Sequence, residues 1–442
     1  MVRFFSVSAV LAVFLWAGAV CADFSGHGGM VRALAVSADG SRVITASFDY
    51  TARLWDFSVQ KELGELDGHT GPVNTVAFLP GGNRALTGGD DGVVIVWDLE
   101  TRSPIRRLEG HRMKVASVSV APAGDVAASA GWDRSVRLWD IATGREIRRL
   151  DHPSGVDAVV FGKDGKTLFS GDKDGTIRIW DTATGTRIGI LQGHDMAVTH
   201  LAVSPDGSRL LSAGIDETVR LWDPAGRTEV RTMTGHKGPV FGVAFSPDGT
   251  SALSGGRDGW VIHWSLETGQ PIQFIQAHDR PVWAVAFSPD GRFAMSASSD
   301  ETVRVWHLGT GERIGLPGEG DSEPKPWLDS THPGAKLYRS CATCHSLQAD
   351  GVRRSGPTFA HLFGRRAGSV PGYSYSAALR EATFVWNEQT LGELFEKGPA
   401  TFLPGTKMPL QRISDRKALD SLIDYLKILT SPKESNGTSQ EQ

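Results

Sequence analysis

Cys341-Ala342-Thr343-Cys344-His345 sets two thiols three residues apart with a histidine directly behind the second. Two thiols at that spacing can add across both vinyl groups of one haem, and the histidine is placed to ligate its iron, so the run reads as a c-type haem attachment site. A redox dithiol and half of a zinc site are the rival readings. The chain holds three cysteines, and Cys21 lies in a segment expected to be removed. No second cysteine pair completes a four-ligand zinc site, and no adjacent strand-helix pattern has the look of a thioredoxin fold. One haem c per chain, attached through Cys341 and Cys344, is the expectation.

The rest of the chain must position that group. A length of 442 residues implies two or three domains. A hydrophobic content of 40% and a charged content of 22% are those of ordinary globular protein. The net charge of -4 gives no ground for a nucleic-acid partner. Met1-Val2-Arg3 precedes an apolar run from Phe4 to Val20, and small residues lead up to Asp23. Residues 1–22 therefore read as a secretory signal cut after Ala22.

Two alternatives to simple cleavage stay open: acylation of Cys21, against which the bulk of Val20 counts, and retention of the run as an uncleaved N-terminal anchor, since about 17 residues is near the lower limit for a span. No other stretch is long enough to cross a bilayer, so no span is expected after cleavage. Export to the periplasm follows, a compartment in which covalent haem assembly is expected.

Tryptophans recur at Trp55, Trp97, Trp139, Trp180, Trp222, Trp264 and Trp306, spaced 42, 42, 41, 42, 42 and 42. Asp follows the first five. Ten residues before each stands Thr45, Thr87, Ser129, Ser170, Ser212, Ser254 or Ser296, and six before stands Asp49, Asp91, Asp133, Asp174, Asp216, Asp258 or Asp300. Upstream lie His27, His69, His111, His152, His194, His236 and His278, mostly in Gly-His pairs. Between these landmarks residues alternate as half-buried strands do, as in Val73-Asn74-Thr75-Val76-Ala77-Phe78. Ser204-Pro205-Asp206-Gly207 and its relatives make the hairpin turns.

This pattern resembles the WD40 family, and four short strands per repeat imply an all-β seven-bladed propeller over residues 23–316. The resemblance implies that each blade's His, hydroxyl, Asp and Trp form a buried hydrogen-bonded network. A catalytic triad is needed once and not in every blade, so these residues are structural. With only Asp23 to Gly26 ahead of the first His, an N-terminal strand for the last blade looks unavailable, and Glu312 to Leu316 are expected to supply it.

The channel face of such a ring carries variable side chains. Its candidates are Phe48, Asp90, Trp132, Lys173, Ile215, Arg257 and Ser299, with Arg32, Asn74, Ala116, Asp157, Thr199, Phe241 and Trp283. Aromatics and arginines there are what a protein interface uses. The remaining histidines, His200, His263, His307, His332 and His361, show no metal-ligand spacing.

Gly, Pro and acidic residues make a linker of 317–333. Beyond it, Gly334 to Cys341 and Asp415 to Leu429 have helical spacing, and residues 431–442 read as a disordered tail. Gly356-Pro357-Thr358, Leu362-Phe363-Gly364-Arg365-Arg366, Pro371-Gly372-Tyr373-Ser374-Tyr375-Ser376 and Pro404-Gly405-Thr406-Lys407-Met408 complete the pattern.

Residues 334–430 thereby resemble the class I, mitochondrial-type cytochromes c, an all-α domain. The resemblance implies His345 and Met408 as the two axial ligands, a pair suited to an electron carrier. It implies that the Pro357 carbonyl accompanies the proximal histidine, that Arg365, Tyr375 and Trp386 bind haem propionates, and that Gly334 and Tyr338 pack on Tyr425. Phe395 stands where the family usually has a tyrosine, and Ala400 and Thr401 where partner-docking lysines are usual, which puts the familiar partners in doubt.

Residues 332–430 hold 13 Lys and Arg against 8 Asp and Glu, and residues 23–331 hold 31 against 40. A basic haem domain tethered to an acidic ring could dock on it intramolecularly. The leading expectation is an exported monohaem electron carrier, not an enzyme, whose propeller docks an unidentified redox partner. An oxidoreductase with a second cofactor in the propeller, and a haem-based redox sensor or scaffold, are the alternatives.

Overall fold

The computed structural model describes residues 23–314, 330–342, 345–347, 357–371, 373, 375–406 and 412–430. The expected signal, the tail and most of the linker lie outside them. Residues 24–314 form seven four-stranded antiparallel sheets, each in simple chain order. The first blade is β1 (Val31–Val36), β2 (Arg42–Ser47), β3 (Thr51–Asp56) and β4 (Lys61–Asp67). The pattern repeats to the seventh, β25 (Val282–Phe287), β26 (Phe293–Ser298), β27 (Val303–His307) and β28 (Arg313–Ile314). Each innermost strand packs on the next, and the last on the first, so the sheets close into a ring.

Each blade buries its repeat tryptophan against its neighbour. Trp97, for example, packs with Ile44, Leu54 and Leu66 of the preceding blade. An indole removes roughly 150–250 Å² from water, which at about 25 cal/mol per Å² stabilises each blade by up to ~4–6 kcal/mol. The burial is tolerable because the indole N–H is satisfied. In all seven blades it donates to the repeat hydroxyl at 2.7–3.0 Å. That hydroxyl donates in turn to the histidine Nε2 at 2.6–2.8 Å.

In six blades the histidine Nδ1 then donates to the turn aspartate at 2.7–3.0 Å. The fourth blade departs from the expected network. His152 Nδ1 meets the Leu150 carbonyl at 3.0 Å instead of Asp174. The cause is Asp172, which stands where the other blades carry Gly or Ser: Arg178 bonds both Asp172 and Asp174 and draws the latter away.

Closure of the ring corrects the second expectation. β28 does pair with β27, through Ile314 to Val305 and Arg313 to Trp306, but it covers only half of that edge. Phe24 covers the rest, exchanging both backbone hydrogen bonds with Val303 at 3.1 and 3.2 Å. Its side chain is 1% exposed, inside a cluster with Val31, Trp55 and Val303. Phe24 precedes His27 by three residues as Leu66 precedes His69, and Leu66 pairs with Ala52 as Phe24 pairs with Val303. The outer strand of the last blade is thus split between the two ends of the ring, and the Asp23 carboxylate clasps the Arg313 guanidinium across the join. Four N-terminal residues looked too few because a whole strand was sought where one residue suffices.

The C-terminal unit is built on two helices, α1 (Pro333–Ala342) and α5 (Arg416–Thr430), with α2 (Ala377–Glu381), α3 (Glu388–Lys397) and α4 (Pro399–Phe402) between them. Gly334 lets α1 and α5 touch: a Cβ there would lie 2.1 Å from the Ser421 carbonyl oxygen. Tyr338 meets Tyr425 edge-on at 5.9 Å, as expected. Leu419, Leu422 and Leu426 of α5 pack with Leu391, Leu394 and Phe395 of α3. Asn387 caps α3 reciprocally with Thr390.

Candidate functional sites

Cys341 lies in the last turn of α1, 4% exposed, so its Sγ is carried on a rigid helix against the core. One further helical hydrogen bond, from His345 N to the Cys341 carbonyl at 3.0 Å, sets the histidine on the next turn. His345 Nδ1 donates to the Pro357 carbonyl at 2.7 Å, and its ring stacks on Phe359 at 4.0 Å, 10° from parallel. A proton fixed on Nδ1 leaves the lone pair on Nε2, the tautomer a metal requires.

Three further bonds lock this segment. Phe359 N donates to the Ser346 carbonyl at 2.7 Å. Arg365 donates to the carbonyls of Ala360 at 2.6 Å and Thr358 at 2.7 Å.

Arg365 and Trp386, far apart in sequence, lie side by side. Trp386 N donates to the Arg365 carbonyl at 2.9 Å, and the Arg366–Val385 bridge extends the short ladder. Tyr375 is buried, its hydroxyl oxygen accepting from Val370 N at 3.1 Å. Burial lowers the Arg365 pKa, and the neighbouring Tyr375 partly offsets this.

Among the described residues, Arg365 Nε, the Tyr375 O–H and the Trp386 indole N–H donate to no protein acceptor. Donors left over on neighbouring segments suit carboxylates, and the propionates of a haem fit them. Cys344 and Met408 lie outside the described residues. Phe359 was not singled out from the sequence; its position two residues after Pro357 was the signal.

On the propeller, eight of the fourteen candidate face residues line one cavity of about 550 Å³ at the channel mouth: Arg32, Trp132, Asp157, Lys173, Thr199, Ile215, Phe241 and Trp283. Arg32 places its guanidinium 3.9 Å over Trp283, which stacks on Phe241 at 4.0 Å. Lys114 and Lys173 place their ammoniums 3.7 and 3.1 Å from the Trp132 ring centre, close enough that they must take opposite faces. Trp132 donates to Asp157 at 2.6 Å, and Asn74 to Asp90 at 2.8 Å.

Burial pushes the Arg32 pKa down to about 10 against the pull of Asp157 and Asp90. It lowers that of Lys114 too. Sequence reasoning missed Lys114, which directly precedes the first strand residue Val115; the lysine before that valine was the available signal. His200 is held neutral by burial, its pKa near 4. No group of three His, Cys, Asp or Glu among the described residues could hold a metal ion.

A model of the WD domain, G-beta repeat, matches residues 18–56, 60–98, 102–140, 144–181, 185–223, 227–265 and 269–307. A cytochrome c model matches residues 332–430. Cytochrome c of Gibberella zeae is 42% identical over 95 residues, 21% of this chain and 89% of the relative. That of Euglena viridis is 41% identical over 97 residues, 22% of this chain and 93% of the relative. Cytochrome c2 of Afifella marina is 37% identical over 102 residues, 22% of this chain and 82% of the relative.

Proposed function

Because the chain belongs to the WD40-repeat family and ends in a cytochrome c domain that carries haem c covalently, we propose that it is an exported monohaem electron carrier whose propeller docks its redox partner. The observation that carries this reading is the His345 Nδ1 bond to the Pro357 carbonyl, which readies Nε2 as an axial ligand. Bound haem supplies a one-electron couple at iron.

The chain's own residues hold and tune it. Cys341 and Cys344 would attach the group and His345 and Met408 would ligate its iron, a thioether beside imidazole being a ligand pair that would favour the ferrous state. Arg365, Tyr375 and Trp386 take the propionates. Export rests on the signal-like residues 1–22, and N-terminal sequencing of the mature protein is expected to begin at Asp23.

Docking is supported by the aromatic and cationic side chains at the channel mouth. The opposite net charges of ring and haem domain also support intramolecular docking.

Met408→Ala is expected to keep covalent haem and lose the methionine-to-iron band of the ferric spectrum; a surviving band would overturn the ligand assignment. Periplasmic extract passed over the immobilised full-length protein captures the partner. Equal retention by a Phe48→Ala, Arg257→Ala, Trp283→Ala variant would move docking off this face.

A further inference from the structure

The channel mouth holds three cations with an unusual property. Among the described residues, the side chains of Arg32, Lys114 and Lys173 donate to no acceptor and join no ion pair; each is held only over an indole face. A cation over an aromatic ring gains about 0.5–2 kcal/mol, but that contact leaves the five N–H donors of a guanidinium without acceptors. Two carboxylates offset their charge without bonding them, Asp157 accepting from the Trp132 indole and Asp90 from Asn74. A third, Asp195, sits exposed on the rim. Groups fixed in place, partly desolvated and short of acceptors are preorganised for an anion. Arg32 and Lys173 line a space of about 550 Å³, in the range of small-molecule sites, ~300–1,000 Å³.

We propose that the mouth of the propeller channel binds a small organic anion, its carboxylate or phosphate taken by Arg32 and Lys173 and its apolar body by Phe241, Ile215 and Met196, while Lys114 backs the far face of the Trp132 indole. The two indoles are already covered by the cations and act as platforms that aim them. Met196, 52% exposed at the rim, is an unbranched, polarizable side chain able to settle on varied apolar shapes. This goes beyond partner docking and does not depend on it, since binding is read with no partner protein present.

The test is calorimetric titration of the full-length, haem-loaded protein at low salt with 2-naphthoate, its neutral analogue 2-naphthalenemethanol, and inorganic phosphate. One saturable naphthoate site is expected, at least tenfold tighter than either comparison ligand. Lys173→Gln and Arg32→Gln are each expected to weaken it at least fivefold with the haem spectrum unchanged. Lys173 is exposed, so its variant decides the matter where Arg32→Gln does not fold. Absence of a saturable site, equal affinity for the neutral analogue, or unchanged binding by Lys173→Gln overturns the proposal. Phosphate binding as tightly as naphthoate overturns the organic half of it, and leaves the channel mouth as a simple oxyanion site.

Discussion

The Nδ1 proton of His345 goes to one backbone carbonyl, and that carbonyl is itself held, because Arg365 ties down Thr358 and Ala360 on the far side of Pro357. Arg365 therefore braces the loop, and in the site proposed above it would also set a positive charge beside the haem carboxylates. Arg365→Gln removes the charge that favours the more electron-rich ferrous state. The midpoint potential is expected to fall on the order of 50 mV, close to tenfold in the one-electron ratio; spectroelectrochemistry measures it, and a rise would contradict the assignment. Much of this was legible. His345 stands out by its place behind the cysteine pair, and its Pro357 partner by register with a family. The Phe359 stack and the Lys114 contact were not, because both depend on where a loop turns back, which periodicity does not encode.

Among the blades, the fourth is the informative one. Asp172 is fully buried, and burial raises its pKa to about 7 despite Arg178 beside it. Its folded pKa thus exceeds the unfolded value near 3.8. The stability it contributes is complete below about pH 4 and is lost as pH rises through about 7, at roughly 1.4 kcal/mol per pKa unit. Asp172→Asn keeps an oxygen for Arg178 and removes the titration. Relative to the parent, the variant is expected to gain up to a few kcal/mol between pH 5 and pH 8 in urea unfolding; a pH-independent difference would refute it. The blade count was readable from the tryptophan spacing because each repeat uses the same buried network. The exchange of partners by His152 was not, since it follows from one extra carboxylate in a glycine-like position.

Ring closure was half readable for a similar reason: Arg313 and Ile314 follow the last repeat in sequence, whereas Phe24 joins from the other end of the ring. Phe24→Ala leaves a cavity in the closing blade and is expected to cost ~3–5 kcal/mol. The matched control is an aliphatic in the same place, Phe24→Leu, which should retain most of the thermal midpoint.

At the scale of the whole molecule, charge is unevenly placed. Of the haem domain's eight carboxylates, five (Glu388, Glu393, Glu396, Asp420 and Asp424) line one groove between α3 and α5. Arg416 shares that groove; the domain's other 12 Lys and Arg are set against only three further carboxylates, while the ring, residues 23–316, carries 30 basic against 36 acidic residues. Crosslinks between the two units are expected to be abundant at low ionic strength and to fade above ~0.15 M salt, where the Debye length is about 8 Å. A crosslink yield independent of salt would exclude charge as the cause.

The split closing strand adds a geometric consequence. A propeller has no natural beginning, yet here both of its loose ends leave from one seam, Asp23 on one side and Ile314 on the other. Whatever precedes Asp23 and whatever follows Ile314 are moored at the same berth. The fifteen residues 315–329 can pay out at most ~50 Å of line at about 3.4 Å each. The first described residue of the haem domain therefore lies within that span of the seam, whichever way the connection runs.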